Sequence, residues 1–223
     1  MNIEYILPLV TFWRTISTQM MKYYPPNIAN NAVSFIHCLT FIAHYNYDYN
    51  LDYAIHISIA FYLYDLLFIF DSLYQKPLKD ELKQNTPFIM HHIVGTCLLN
   101  ATLTDEGKKH ILGGYIILEK SNIMLYISYY LHKQYTEYYK LNVLSDFIQI
   151  IVYSYYRIFV LSLFIYNNRT HFYQFHFMTQ FLIMVIYSMG FGWSYRLLKK
   201  NIANIANYNT LFTARSKKYS SDG

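Results

Sequence analysis

Two adjacent histidines, His91 and His92, open an apolar run at residues 88–100 (Phe-Ile-Met-His-His-Ile-Val-Gly-Thr-Cys-Leu-Leu-Asn). Histidines inside a segment that looks membrane-embedded are costly to insert and mark a functional site by default. Imidazole titrates near pH 6.5, so such a pair can accept and return protons at cytosolic pH. Neighbouring residues on a helix point about 100° apart. One histidine can therefore face a cavity as base or nucleophile while the other bonds a neighbouring helix. The same divergence argues against a metal site. Helical metal pairs use i, i+3 or i, i+4 spacing, as in H-E-x-x-H, and none of the nine histidines does so. A metal would need His37 or Glu119 to converge from other helices, so no metal ligands are expected. A serine triad is not signalled either, because G-x-S-x-G is absent.

The elements that must position the pair are apolar blocks. The 223 residues are 54% hydrophobic, 20% aromatic and 14% charged, against about 25% charged in ordinary globular chains. The charges cluster between six blocks, at about 31–47, 53–74, 88–103, 110–131, 143–166 and 174–198. About 20 apolar residues cross the roughly 30 Å of hydrocarbon, so the blocks predict an all-α polytopic membrane protein with six spans. Pro25-Pro26 interrupts any helix before the first block. Residues 1–26 are read as an N-terminal segment, with 1–21 either a short interfacial helix (Trp13, Arg14 and Lys22 at the headgroups) or an extra span. Residues 27–200 form the membrane domain and 201–223 a polar, disordered cytosolic tail. No signal peptide is apparent: Tyr5–Trp13 is short, follows Glu4 and contains Pro8. Cys38 and Cys97 lie within apolar blocks and read as inert thiols rather than a disulfide framework.

Loop charge sets the orientation. Of the 18 Lys and Arg residues, 13 fall on one side, including Arg14, Lys22, Lys76, Lys133, Lys140, Arg196 and Lys200. Three (Lys108, Lys109, Arg169) fall on the other, and Lys120 and Arg157 lie within spans. The first side is therefore cytosolic, with both termini there if six spans hold. The net charge of +5 follows from topology and is no nucleic-acid footprint. His91 and His92 then lie one to two turns from the cytosolic face, and Asp65, Glu119 and Arg157 near the midplane. Charges in lipid turn inward or pair, and Arg157 with Asp65 or Glu119 is the pairing expected.

These residues, in this order, resemble the TLC domain shared by ceramide synthases and translocating-chain-associating membrane proteins. The matching pieces are Ser34-Phe35-Ile36-His37, Phe61-Tyr62-Leu63-Tyr64-Asp65-Leu66-Leu67, His91-His92, Leu118-Glu119-Lys120-Ser121-Asn122, Tyr156-Arg157 and Trp193. The resemblance implies a six-helix bundle closed as an α-barrel around a lipid-accessible cavity. His91, His92 and Glu119 would be its candidate catalytic groups, and Ser34, His37, Asp65, Ser121, Asn122, Arg157 and Trp193 would line it. Ceramide synthases carry two aspartates in an H-D-x-x-D motif of the fourth span. Here those positions are Lys120 and Ile123, which points to the non-synthase branch. The expected function is binding or handling of a membrane lipid, with no cofactor. The alternatives are an acyl-CoA-dependent lipid acyltransferase using His91 or His92, with acyl-CoA as co-substrate, and a non-catalytic scaffold or cargo receptor.

Overall fold

The computed structural model describes residues 3–47, 50–74, 78–103 and 107–221, nearly all of them helical. Lys76 of the second connection and the terminal Asp222 and Gly223 lie outside the described residues. The helices are α1 (Ile3–Met21), α2 (Pro26–Asn46), α3 (Leu51–Tyr74), α4 (Leu78–Thr102), α5 (Lys108–Gln134), α6 (Tyr139–Asn167), the single-turn-scale α7 (Arg169–Gln174) and α8 (Phe177–Ser221). The tandem prolines do what their chemistry dictates. Pro25 takes φ −54°, ψ 149° and Pro26 becomes the first helical residue, where its missing N–H is no loss.

Three helical stretches, Leu51–Leu73, Tyr139–Asn167 and Phe177–Asn204, are by themselves long and apolar enough to cross a membrane. The other long helices carry polar residues that lower their mean hydropathy. Glu119 and Ser121 interrupt the apolar pattern of the fourth block, yet α5 runs unbroken through them, with both side chains buried. α4 starts ten residues ahead of its apolar block and passes through Pro87; residues 78–86 lack a helix breaker, so the helix outruns the hydrophobic stretch. The polar stretch after Lys200, read from sequence as disordered, continues α8 as helix to Ser221. No Gly or Pro interrupts it there.

Neighbouring helices pack in the cycle α2–α3–α4–α8–α6–α5 and back to α2. Each contact is antiparallel, as alternating up-and-down helices require. On α2 and α3, Asn30 meets Asp65, His37 meets Ser58 and His44 meets Tyr53. On α4 and α8, Trp193 meets His91. α1 lies outside the cycle, against α3 and α2. It runs parallel to α3, since Tyr5 meets His56 and Trp13 meets Phe61. Trp13, placed by sequence among headgroups in the interfacial reading, is 1% exposed and donates its indole N–H to the Ile57 carbonyl at 3.2 Å. A buried indole needs such an acceptor, and α3 supplies it.

α3 and α4 approach closely at Gly95, where an added Cβ would lie 3.0 Å from the Tyr62 ring and 3.3 Å from the Tyr115 hydroxyl. Gly95→Val is expected to cost about 1–3 kcal/mol through overpacking. Gly192→Ala, where nothing lies within 4 Å, should instead gain up to about 1 kcal/mol of helix propensity. Thermal unfolding in detergent reads both; equal effects would contradict the close approach.

At one end of the bundle, buried Asp146 on α6 ties α5 and α8 together. It accepts from Ser128 (3.0 Å) and Lys200 (3.1 Å) on one oxygen and from Asn204 (2.7 Å) on the other, while His132 Nε2 lies 3.0 Å away. The Asn201 amide donates to its carbonyl at 2.9 Å. Full hydrogen bonding is what lets a carboxylate stay buried.

Candidate functional site

The interior of the cycle holds a cavity of about 660 Å³, within the range of small-molecule pockets. Asn27, Ser72, Asn85, His132, Arg196 and Lys200 line it at the end where α2 begins and α5 ends; His37, Tyr62, His91, His92, Glu119 and Arg157 line it deeper. Every site residue expected from sequence except Ser121 borders this space. Ser121 is fully buried one position from Asn122 and acts through Arg157.

α4 presents the two histidines in different directions. His92 turns toward α3, its Nε2 2.6 Å from Asp65 Oδ2. The other Asp65 oxygen accepts from the Asn30 amide at 2.7 Å, and Asn30 in turn accepts from the Tyr64 hydroxyl at 2.9 Å. This chain of bonds joins α4, α3 and α2 and leaves His92 Nδ1 without a protein partner. His91 points toward α8, with its ring edge-on to Trp193 at 5.3 Å and its Nδ1 also unpartnered. Trp193 is held against Phe88 at 5.6 Å. His37 bonds Ser58 at 2.9 Å and stacks flat on Phe61 at 4.1 Å. Ser34 bonds back to the Asn30 carbonyl at 2.9 Å, an i−4 contact common for helical serines.

Arg157 departs from expectation. It pairs with neither Asp65 nor Glu119; among the described residues no carboxylate lies within ion-pair distance of it. Its Nε donates to Ser121 Oγ at 2.8 Å and its Nη2 to Asn122 Oδ1 at 3.0 Å, while Nη1 has no partner. The cation also sits over the Tyr153 ring at 5.1 Å. The cause is local. α6 contains a π-helical turn, Tyr155–Val160, between Tyr139–Ser154 and Leu161–Asn167. The extra residue of a π turn shifts the side-chain register, and here Arg157 is carried inside, 1% exposed, to meet α5. Asp65, meanwhile, is occupied by His92 and Asn30. Glu119 accepts from the Tyr62 hydroxyl at 3.4 Å, and its second oxygen is unpartnered.

A family model describing the TLC domain matches residues 9–199. The chain belongs to the TLC-domain family. No curated protein and no solved structure matches it at a significant level. The match begins within α1, takes in α2 to α7 whole and ends within α8.

Several residues of the TLC-domain cavity were not singled out from the sequence. Tyr62 and Asn30 are the chief ones. Tyr62 precedes Asp65 by three residues and so shares its helix face, a signal that was available. Asn30 lies one position ahead of the first apolar block, where polar residues are ordinarily solvated. Tyr115 is hydrogen-bonded to the cavity-lining Tyr62. Beyond it is a separate apolar pocket of about 50 Å³, lined by Leu98, Leu118, Leu161, Phe164 and Ile186.

Proposed function

We propose that this TLC-domain protein is a multi-pass lipid-handling protein. In this reading α2, α3, α4, α5, α6 and α8 cross the membrane as a closed six-span α-barrel, and an amphiphile is held with its polar head inside the cavity. The six-membered packing cycle supports the barrel. The 13-to-3 imbalance of loop Lys and Arg supports a cytosolic mouth and C-terminus. α1 has 19 residues, about 28 Å of helix, and its direction parallel to α3 supports, in this reading, an N-terminal end on the opposite side.

The observation that carries the proposal is the set of buried polar atoms around the cavity. His91 Nδ1, His92 Nδ1, Glu119 Oε2, Arg157 Nη1, Gln149 Oε1 and Tyr153 Oη all belong to cavity-lining residues and have no hydrogen-bond partner within the protein. Buried polar atoms without partners are costly, so so many around one space favours a polar guest. The departure from the synthase motif at Lys120 and Ile123 supports handling without ceramide synthesis. Mass spectrometry of purified protein should find co-purifying lipid, and added lipid should raise the unfolding temperature; at 100-fold excess over Kd the stabilisation is about 2.7 kcal/mol. Lipid-free protein that no lipid stabilises would overturn the proposal.

A second reading, acyl transfer from acyl-CoA, is favoured by one feature. Asp65 orients His92 through Nε2 and leaves Nδ1 to take a proton, the arrangement of a base steered by a carboxylate. Acyl-CoA consumption that disappears in His92→Ala would establish it; turnover unchanged in both His91→Ala and His92→Ala would sink that mechanism.

A further inference from the structure

Glu119 and Arg157 face the same deep part of the cavity and are both almost fully buried, at 3% and 1% exposure. Opposite charges so placed would ordinarily pair, yet no ion pair joins them. Each retains one unpartnered atom, Glu119 Oε2 and Arg157 Nη1. The bonds they do make come from the wall: Ser121 and Asn122 steady the guanidinium, and the Tyr62 hydroxyl reaches the carboxylate. The cavity's remaining deep carboxylate, Asp65, is already engaged by His92 and Asn30.

We infer that the cavity selects an amphiphile with a zwitterionic head, its primary ammonium donating to Glu119 and its anionic oxygens accepting from Arg157. This rests on the lipid-handling reading and adds the head-group class to it. A purely anionic head would satisfy Arg157 but face the Glu119 carboxylate; a purely cationic head would do the reverse. A head bearing both charges meets both free atoms. A guanidinium matches phosphate or carboxylate oxygens, and a carboxylate takes its strongest hydrogen bonds from a charged N–H. A quaternary ammonium has no N–H to donate, so methylation of the amine should weaken binding even though the charge is kept.

The test is competition in native mass spectrometry on the full-length protein in detergent. Four amphiphiles with the same chain length are offered: phosphatidylethanolamine, phosphatidylcholine, phosphatidylglycerol and a long-chain primary amine. Retention of phosphatidylethanolamine should exceed that of phosphatidylglycerol and of the amine by about tenfold, the scale of one charge-assisted hydrogen bond, and that of phosphatidylcholine by several-fold. Glu119→Gln removes the charge at constant shape and should erase the preference for phosphatidylethanolamine over phosphatidylglycerol. Arg157→Lys keeps a cation for folding but loses the planar fork, and should reduce binding of both phospholipids relative to the amine. Equal retention of all four by the wild-type protein, or an unchanged ranking in Glu119→Gln, overturns the inference while leaving lipid binding intact. Retention of none of them overturns the lipid-handling reading as well.

Discussion

Asp65→Ala is expected to destabilise the protein by about 3–5 kcal/mol, the range for removing one member of a buried charged pair. At about 2–4 °C per kcal/mol for a chain of this size, the unfolding temperature should fall roughly 6–20 °C. The magnitude follows from what the carboxylate holds. Its two oxygens take His92 at 2.6 Å and Asn30 at 2.7 Å, so one truncation releases contacts from α4 and α2 at once. His92 would be left with both ring nitrogens unpartnered, because Nδ1 already has none. Asp65→Asn, which keeps the volume and one acceptor oxygen, should cost about 1–3 kcal/mol. If thermal unfolding in detergent finds Asp65→Ala as stable as the wild type, the chain His92–Asp65–Asn30 does not hold the site together.

Trp13→Ala should cost a comparable 3–5 kcal/mol, the usual penalty for emptying a buried aromatic site. The indole fills space between α1 and α3, packs edge-on to Phe61 at 5.6 Å and His37 at 5.9 Å, and bonds the Ile57 carbonyl. Its loss should also expose the connection between α1 and α2 to protease. An interfacial α1, with Trp13 among lipid headgroups, makes the opposite forecast: a surface substitution worth no more than about 0.5 kcal/mol. Unfolding measurements on this one variant therefore separate the two placements. Because His37 touches Trp13 on one side and the cavity on the other, α1 supports the wall of the site without lining it.

The helices were legible because burial in lipid or in a bundle leaves a one-dimensional trace, namely long apolar blocks set apart by charges and Pro25-Pro26. The boundaries were less so. α4 and α8 extend past their apolar blocks, since a helix ends at a breaker or a cap rather than where hydrophobicity ends. Most of the site was legible for a related reason. A charge or a histidine within an apolar block has few places to go except inward, so Asp65, His91, His92, Glu119 and Arg157 could be picked out individually.

Their partners could not. Which carboxylate takes His92 and which groups take Arg157 depends on how each helix is rotated about its axis and on its offset along its neighbours, and neither is written in the spacing along one segment. Arg157 lies in a π turn, Tyr155–Val160, and bonds Ser121 and Asn122 instead of a carboxylate. The packing of α1 likewise depended on an acceptor, the Ile57 carbonyl, that has no sequence signature because every residue possesses one. The opening histidine pair shows the division. Adjacency on a helix by itself required His91 and His92 to diverge by about 100°. Only the tertiary structure decided that one arm of that divergence ends on Asp65 and the other against Trp193, because those contacts come from two other helices brought together by packing.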